Sequence, residues 1–371
     1  MNYTMNTLKA FGIILVVFGH SGCAVLNWFN PYSFHIPLFI FISGYFYKTE
    51  HEKSLVDYFT KKAKSLLLPY YGWNLFYGLV VMLLLKNHLI DFGSGINLKT
   101  LFIEPWISGH QYAFNSAGWF VLTLFLIITI YTMTRKLLKK LVSSEYGMLI
   151  FYFSLGLIGV YLANQGYAKE FKLTTLRILF GLPFFYLGFL YKEKIEKHDR
   201  FSFLALTSLL VIQGALLSWE NNKLDFYMVW MKFHSNNIFA PFLSSVTGIY
   251  LYVHCAKIVT KFNQGTDKLL NLIGNSTWSI MIHHIFAFWL INFCFYKLHI
   301  TGLTLFTNFD VIQYKSNIWY KYLFLGEATY VIYVVAGLFI PIAIQLIVKN
   351  LIKLYYESMI FSLIKKKLYI N

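Results

Sequence analysis

The stretch that decides the fold is residues 7–28, TLKAFGIILVVFGHSGCAVLNW. Its length and apolar character predict a helix that spans a membrane, yet it carries two ionisable side chains, Lys9 and His20. An ionisable side chain inside a membrane helix costs about 2.5 to 3.5 kcal/mol, so such residues indicate a functional site. Eleven residues at 100° each exceed three turns by about 20°, which places both side chains on one face, about 16 Å apart. We expect one end of this face to bind an anion and the other to perform chemistry.

The composition indicates an integral membrane protein. Hydrophobic residues make up 57% of the chain and charged residues only 13%, where a soluble domain has about a quarter charged. Ten windows approach the ~20 apolar residues that a spanning helix needs. They are residues 7–28, 32–47, 66–85, 118–134, 146–164, 173–191, 201–219, 238–256, 272–296 and 327–347. We therefore predict an all-α polytopic membrane protein with about ten transmembrane helices.

The distribution of basic residues predicts the orientation. The connections after the even-numbered windows, together with the C-terminal tail, hold 21 Lys and Arg residues, and the other connections hold 9. Loops rich in Lys and Arg lie on the cytoplasmic side, so both termini are predicted to be cytoplasmic. The net charge of +16 is then a topology signal rather than a sign of nucleic-acid binding, because no basic soluble domain is evident.

One domain accounts for the whole chain. We predict a single integral-membrane domain over residues 1–371, with a core of about 7–347 and a basic cytoplasmic tail at 348–371. The internal repeat that marks many transporters is not apparent. The longest pieces outside the membrane, residues 86–117 and 297–326, fall on the outer side by the charge count.

Histidine is the leading candidate for acid or base chemistry, because Asp and Glu are nearly absent from the predicted spans. Four histidines fall in or near spans, and Arg177 joins them near the outer end of its span. The histidines are His20, His35, His283 and His284. Any of them could instead be a packed histidine bonded to a neighbouring helix. A metal site is not expected, since zinc would need three or four converging ligands.

Several other candidate site residues could have a purely structural role instead of a functional one. Lys9 could simply extend its ammonium group to the membrane surface. The cations Lys61, Lys62 and Lys64 could hold phosphates or form an ordinary basic loop. Trp119 could anchor the helix at the membrane interface or serve as a platform for a sugar ring.

The order of several motifs resembles the membrane acyltransferase 3 family, which includes O-acetyltransferases of bacterial surface and secreted sugars. The motifs are Lys9 and His20 in the first span, FHIPLF at 34–39 followed by SGY at 43–45, KKAKSLLLPY at 61–70, GWF at 118–120, Arg177 with FYLG at 185–188, and Ser276 with His283. The resemblance extends from residue 7 to about 345. Two positions depart from the family pattern: Lys9 stands where arginine is frequent, and His284 where proline is frequent.

This resemblance implies transfer of an acyl group, usually acetyl, from cytosolic acyl-CoA to a hydroxyl of an extracytoplasmic or lipid-linked saccharide. No permanently bound cofactor is implied, and the donor acetyl-CoA is a substrate. The implied roles are catalytic for His20, His35, Arg177 and His283, donor-binding for Lys9, Lys61, Lys62 and Lys64, and acceptor-binding for Trp119 and Tyr45. His20 would act either as the base that removes the proton of the sugar hydroxyl or as a transient carrier of the acyl group. The choice between His283 and His284 stays open.

The implied location is the plasma or inner membrane of a bacterium, with membrane lipid and proteins of polysaccharide synthesis as further partners. A secondary transporter or flippase for a saccharide would also explain ionisable residues inside the membrane. The missing repeat and the cluster of family motifs in the first two spans favour the transferase.

Overall fold

The computed structural model describes residues 2–22, 27–142, 144–200, 202–262 and 267–368, and these residues form an all-α membrane protein. The helices are α1 (Tyr3–Ser21), α2 (His35–Tyr45), α3 (Leu55–Lys62), α4 (Leu68–Lys86), α5 (Glu104–Ile107), α6 (Trp119–Leu138), α7 (Glu145–Asn164), α8 (Glu170–Leu190), α9 (Phe203–Trp219), α10 (Ala240–Phe262), α11 (Lys268–Asn275), α12 (Thr277–Ile300), α13 (Val311–Ser316) and α14 (Thr329–Leu368).

Little of the described chain is extended. The strands β1 (Phe226–Tyr227) and β2 (Lys232–Phe233) form a short antiparallel hairpin, and β3 (Phe324–Glu327) precedes α14. Short helical turns connect the longer elements, and three of them are π-helical. The π-helical turns are Ala63–Leu67, Lys99–Ile103 and Tyr191–Ile195, and the 3-10 turns are Asn27–Phe29, Pro31–Ser33, Thr49–Glu52, Ala113–Gly118 and Thr304–Phe306.

Each of the ten predicted windows overlaps a helix, but seven helical segments of the described chain are long and apolar enough to cross a membrane. These segments are Leu55–Lys86, Ala113–Leu138, Glu145–Asn164, Glu170–Ile195, Ala240–Phe262, Thr277–Ile300 and Gly326–Tyr355. Two of the remaining windows hold helices that are short, since α2 has 11 residues and α9 has 17. In α1, polar residues such as Asn6, Lys9 and His20 lower the mean hydropathy.

Helix α1 is shorter at its C-terminal end than predicted. It begins after Asn2, whose side chain accepts a hydrogen bond from the Met5 N–H, and it ends at Ser21. Gly22 has φ = +89°, a left-handed conformation that favours glycine, and its N–H donates to the Gly19 carbonyl. The predicted window ran to residue 28 and included residues 23–26, which lie outside the described chain. This ending places His20 in the last turn of α1.

Two glycines bring α2 and α8 into backbone contact at the centre of the bundle. A Cβ added to Gly44 would collide with the Phe185 carbonyl, and one added to Gly188 would collide with the Phe41 carbonyl. Gly44 and Gly188 therefore allow the two helices to approach closely. This contact fixes the rotation of α2, whose first residue is His35 and whose last is Tyr45.

The bundle has two ends, which we name by α1. The amino-terminal face holds Asn2 and the start of α1, and the distal face holds His20 and Gly22. At the amino-terminal face, the buried Arg135 guanidinium pairs with Glu52. On the same face, Tyr45 donates a hydrogen bond of 2.7 Å to Glu196 and accepts one of 2.7 Å from the Asn2 amide.

Candidate active site

A cavity of about 340 Å³ runs beside α1, between α2, α6, the β1 hairpin and the start of α12. On α1 it is lined by Lys9, Ile13, Val16 and His20, which follow one another at spacings of three or four residues. Those spacings define one face of a helix. The predicted common face of Lys9 and His20 is therefore confirmed, and both side chains line the same cavity.

The two ends of the cavity differ in chemistry. Near the amino-terminal face it is lined by Lys9, Gly274, Asn275 and Thr277, where α11 gives way to α12. Helix α11 is held against α1 by a hydrogen bond of 3.0 Å from the Asn6 amide to the Asn271 side-chain oxygen. Among the residues that the structure describes, no carboxylate lies within ion-pair distance of Lys9. This end therefore presents an ammonium group that is ready to accept an anion.

At the distal end, His20 pairs with a second histidine. Its Nδ1 lies 2.7 Å from Nε2 of His284, and the two imidazole planes are within 3° of each other. Nδ1 of His284 lies 2.8 Å from the Ile280 carbonyl oxygen, which can only accept a hydrogen bond. Nδ1 of His284 is therefore the donor. In a neutral pair His284 Nε2 then accepts from the Nδ1–H of His20, which leaves Nε2 of His20 with a free lone pair.

His283 and His284 point in different directions, as expected of neighbours about 100° apart on a helix. Nδ1 of His283 lies 2.6 Å from the Tyr77 hydroxyl, and its ring contacts Trp73 with centroids 4.2 Å apart. His283 does not line the cavity. The sequence left the choice between them open and gave the site role to His283, whereas the structure brings His284 to His20.

His35 lies at the distal end of the cavity, as its position at the start of α2 suggests. Its Nδ1 is 2.5 Å from the Pro31 carbonyl oxygen, so this nitrogen carries the proton and Nε2 has the free lone pair. The ring meets Tyr32 edge-on at 5.2 Å, and Tyr32 in turn lies 6.3 Å from the His20 ring. His20, Tyr32 and His35 thus surround one volume.

Arg177 and Trp119 form one wall of the cavity. The Arg177 guanidinium lies 4.8 Å above the Trp119 ring and donates a hydrogen bond to the Val229 carbonyl. Trp119 and Val229 line the cavity, but Arg177 lies behind them and is 2% exposed. Arg177 therefore holds two pieces of the wall together, and it does not reach the space beside His20.

The remaining predicted site residues are not brought to the cavity. Lys61 and Lys64 are exposed on the amino-terminal face, and Lys62 lies over the Tyr58 ring at 5.6 Å. Tyr45 is tied to Glu196 at the same face, about 15 Å along α2 from His35, because ten residues separate them. In the described part of the chain, no group of three His, Cys, Asp or Glu residues could hold a metal ion.

Sequence reasoning missed three residues around the distal end. Tyr32 and Tyr227 line the cavity with their rings 5.3 Å apart. Tyr32 lies in the 3-10 turn Pro31–Ser33 and Tyr227 in β1, so no α-helical periodicity places them. Lys321 lies near His20 and His284, in the loop before β3. Its ammonium group sits over the rings of Phe288 and Tyr333 and donates to the Trp319 carbonyl at 3.3 Å. Burial lowers the pKa of Lys321 to about 8.

Comparison with protein families identifies the family of this chain. The model of an acyltransferase domain, acyltransferase 3, matches residues 2–344, which is nearly the whole chain. Comparisons with curated proteins and with solved structures give no match. The family match and the resemblance of the motifs coincide, and the chain belongs to the membrane acyltransferase 3 family.

Proposed function

We propose that this membrane acyltransferase moves an acetyl group from cytosolic acetyl-CoA to a hydroxyl of a saccharide on the outer side of the plasma membrane. One observation carries the proposal. A single cavity has Lys9 at one end, a cation with no carboxylate partner among the described residues, and His20 at the other, a histidine whose Nε2 makes no hydrogen bond to a described residue.

The orientation follows from the charges. The excess of Lys and Arg on the connections that share a side with the amino-terminal face supports a cytoplasmic location for this face. The distal face, with His20, Tyr32 and Trp119, then faces the outside. Acyl-CoA would enter from the cytoplasm and the saccharide from the opposite side.

The donor fits the inner half of the cavity. Lys9 offers a point charge to the phosphates of the nucleotide. The side chains of Asn275 and Thr277 offer hydrogen-bonding groups to the amides of the pantetheine arm. The walls between Lys9 and His20, such as Ile13 and Val16, are apolar. About 16 Å along α1, a distance of the order of that extended arm, the thioester would reach His20.

The acceptor hydroxyl would lose its proton to Nε2 of His20 as its oxygen attacks the thioester carbonyl. The new C–O bond forms a tetrahedral intermediate, which collapses when the C–S bond breaks. The proton held by His20 then passes to the leaving sulfur, which gives the ester and free CoA. His284 accepts from His20 Nδ1–H throughout and holds the ring in the tautomer that leaves Nε2 free.

The positive charge of Lys321 favours the negative charge that develops on the carbonyl oxygen of the thioester. The resemblance to the family implied catalytic roles for Arg177 and His283. Arg177 lies behind Trp119 and His283 is bonded to Tyr77, so neither lines the cavity. Lys321 does not line it either, but its charge acts on both His20 and His284. Lys321 belongs to the loop that contacts His20 through Trp319, with ring centroids 5.4 Å apart.

The experiment that tests the function uses purified protein in detergent. Acetyl-CoA is expected to raise the melting temperature, because a ligand that binds only the folded state stabilises it. Cells that lack the protein should lose acetyl groups from their surface glycans, as read by mass spectrometry. When these cells express His20→Ala, the acetyl groups should remain absent although the variant accumulates in the membrane. His299→Ala, which alters a histidine outside the cavity, should restore the acetyl groups fully.

A saccharide transporter or flippase would give a different result. It would show no stabilisation by acetyl-CoA, and its loss would change the amount of glycan outside the cell rather than its acetylation. Either result would overturn the proposal.

A further inference from the structure

A second polar pocket lies beside the active-site cavity on the distal face. It has a volume of about 370 Å³, similar to the cavity itself. Its polar and aromatic lining comes from three separate parts of the chain, which are the turn after α1, helix α9 and the loop before β1. These lining residues are Trp28, Asn30, Gln213, Asn222 and Asp225. The proposed reaction uses none of them.

Two short pieces of chain join this pocket to the cavity. Asn30 lines the pocket and Tyr32 lines the cavity, and the Tyr32 N–H donates to the Asn30 side-chain oxygen at 3.0 Å. Asp225 lines the pocket, and the next residues, Phe226 and Tyr227, line the cavity. A chain of two residues spans at most about 7 Å. A molecule that reaches His20 could therefore extend into the pocket past the pair formed by Tyr32 and Tyr227.

The pocket offers hydrogen-bonding groups that the described residues do not use up. The Asn30 side chain accepts from Tyr32 through its oxygen, which leaves its amide group free. Asp225 pairs with His234 through Oδ2 at 2.9 Å, which leaves Oδ1 free to accept. The Asn222 side chain makes no hydrogen bond to another described residue, and Trp28 is 56% exposed. Planar amide and carboxylate groups beside an exposed indole suit the hydroxyls and the C–H face of a sugar ring.

Gln213 has a structural role in the pocket, because both polar atoms of its side chain are hydrogen-bonded within the protein. Its amide donates to the Trp28 carbonyl at 2.8 Å, and its oxygen accepts from the Thr247 hydroxyl at 2.9 Å. Gln213 thereby fixes the turn that carries Trp28. The described residues that line the pocket include no Lys or Arg, and the Asp225 carboxylate would repel an anion. The charges thus favour an uncharged, hydroxyl-rich ligand over a phosphate or an acidic sugar.

We propose that this distal polar pocket is a second saccharide-binding subsite, which holds the sugar residue next to the one that is acetylated. The inference rests on the proposed function and narrows its acceptor to a glycan of at least two sugar residues, uncharged at the residue in the pocket. Trp28 stacks on that residue, and Asn30, Asn222 and Asp225 bond its hydroxyls.

The test compares Asn222→Gly and Trp28→Ala with Asn221→Gly. Asn221 and Asn222 both have positive φ, of 51° and 62°, so glycine keeps the backbone conformation at either position. Only Asn222 lines the pocket. Asn221→Gly is therefore a matched control for effects on the loop.

The probes are glycan fragments from cells that lack the protein, released by mild acid and separated by size, together with the monosaccharides from complete hydrolysis. Transfer of radiolabelled acetyl from acetyl-CoA is measured with each. The wild type should use fragments of two or more residues with a lower KM than monosaccharides. Asn222→Gly and Trp28→Ala should raise the KM for the fragments about three- to tenfold, as expected from losing a hydrogen bond or contact. Their rates with monosaccharides should be unchanged.

Other outcomes would overturn the subsite. Equal KM values for monosaccharides and longer fragments would do so, as would wild-type kinetics in both pocket variants. A defect seen with lipid-linked acceptor but not with free fragments would assign the pocket to a lipid headgroup. Failure of the proposed function itself would look different, because the wild type would then show neither acetyl transfer nor stabilisation by acetyl-CoA.

Discussion

Nδ1 of His20 and Nε2 of His284 lie 2.7 Å apart, and the second histidine is anchored in turn by the Ile280 carbonyl. This chain of contacts fixes which nitrogen of His20 faces its partner. Since a backbone carbonyl cannot donate, the direction of each hydrogen bond in the neutral pair follows from the anchor. In the reaction proposed above, this relationship makes His20 the base and gives His284 a positioning role.

The first prediction concerns His284. His284→Ala should lower kcat at least about tenfold with little change in KM for acetyl-CoA, because His20 loses the partner that holds its tautomer. His284→Gln, whose side-chain oxygen can accept from the His20 Nδ1–H, should recover part of the rate. His20→Ala should cost more, about 10² to 10⁴ in kcat, the usual contribution of a general base. Steady-state kinetics with purified protein measure all three.

The neighbouring histidine provides the control. His283→Phe removes the hydrogen bond to Tyr77 but leaves the cavity lining intact, so acetyl transfer should continue at a rate close to that of the wild type. If His283→Phe abolishes transfer while His284→Ala does not, the site role belongs to His283, as the family motif first suggested.

The second prediction concerns Lys9. Lys9→Met should weaken acetyl-CoA binding and reduce the rise in melting temperature that acetyl-CoA produces, because the phosphates lose their cation. Lys9→Arg should keep this rise in melting temperature, because arginine keeps the positive charge. A donor that lacks the nucleotide, acetyl-pantetheine, should stabilise wild type and Lys9→Met equally.

Lys61→Met and Lys64→Met serve as controls, since both lysines are exposed and neither lines the cavity. Both variants should keep the rise in melting temperature that acetyl-CoA produces, measured at moderate ionic strength. A loss of acetyl-CoA binding in these variants but not in Lys9→Met would move the donor site from the cavity to the basic surface.

The sequence predicted some of the site because helix geometry is local. The common face of Lys9 and His20 on α1 follows from a rotation of 100° per residue alone. The choice between His283 and His284 depends on how α12 is rotated against α1, which is set by packing. Tyr32 lies in a short 3-10 turn and Lys321 in a loop, where no periodicity indicates the direction of a side chain.

Sequence patterns also did not predict where α1 ends or how far apart the two ends of α2 lie. Hydropathy placed a helix in each of ten windows and gave a short window for α2, but it could not foresee that Gly22 ends α1 early. Tyr45 lies in a motif near His35, yet the α2 axis carries it to the opposite face of the bundle. Closeness in sequence is not closeness in space when a helix lies between two residues.

The third prediction concerns the charge of Lys321. Its pKa of about 8, lowered by burial, means that the ammonium group loses its proton as the pH rises through 8. If the charge assists transfer, kcat should fall above about pH 8 in the wild type. Lys321→Arg stays charged at that pH, so its rate should not fall there. Lys321→Met should be slow at all pH values.

Lys297→Met is the matched control, because Lys297 is exposed on the same face and its charge lies outside the cavity. It should keep the wild-type pH profile. An identical decline above pH 8 in wild type and Lys321→Arg would show that another group causes it.

The fourth prediction concerns the contact between α2 and α8. Gly188→Ala should destabilise the fold, because the added Cβ meets the Phe41 carbonyl and a backbone atom cannot rotate away as a side chain can. We expect at least about 1 to 3 kcal/mol, the usual cost of overpacking, seen as a lower melting temperature in detergent. Gly72→Ala is the control within α4, where a Cβ meets nothing within 4 Å. It should be neutral or slightly stabilising, since alanine favours a helix by up to about 1 kcal/mol over glycine. Because α2 carries His35 at its distal end, a Gly188→Ala protein that stays folded but shifts α2 should also lose acetyl transfer, whereas Gly72→Ala should lose none.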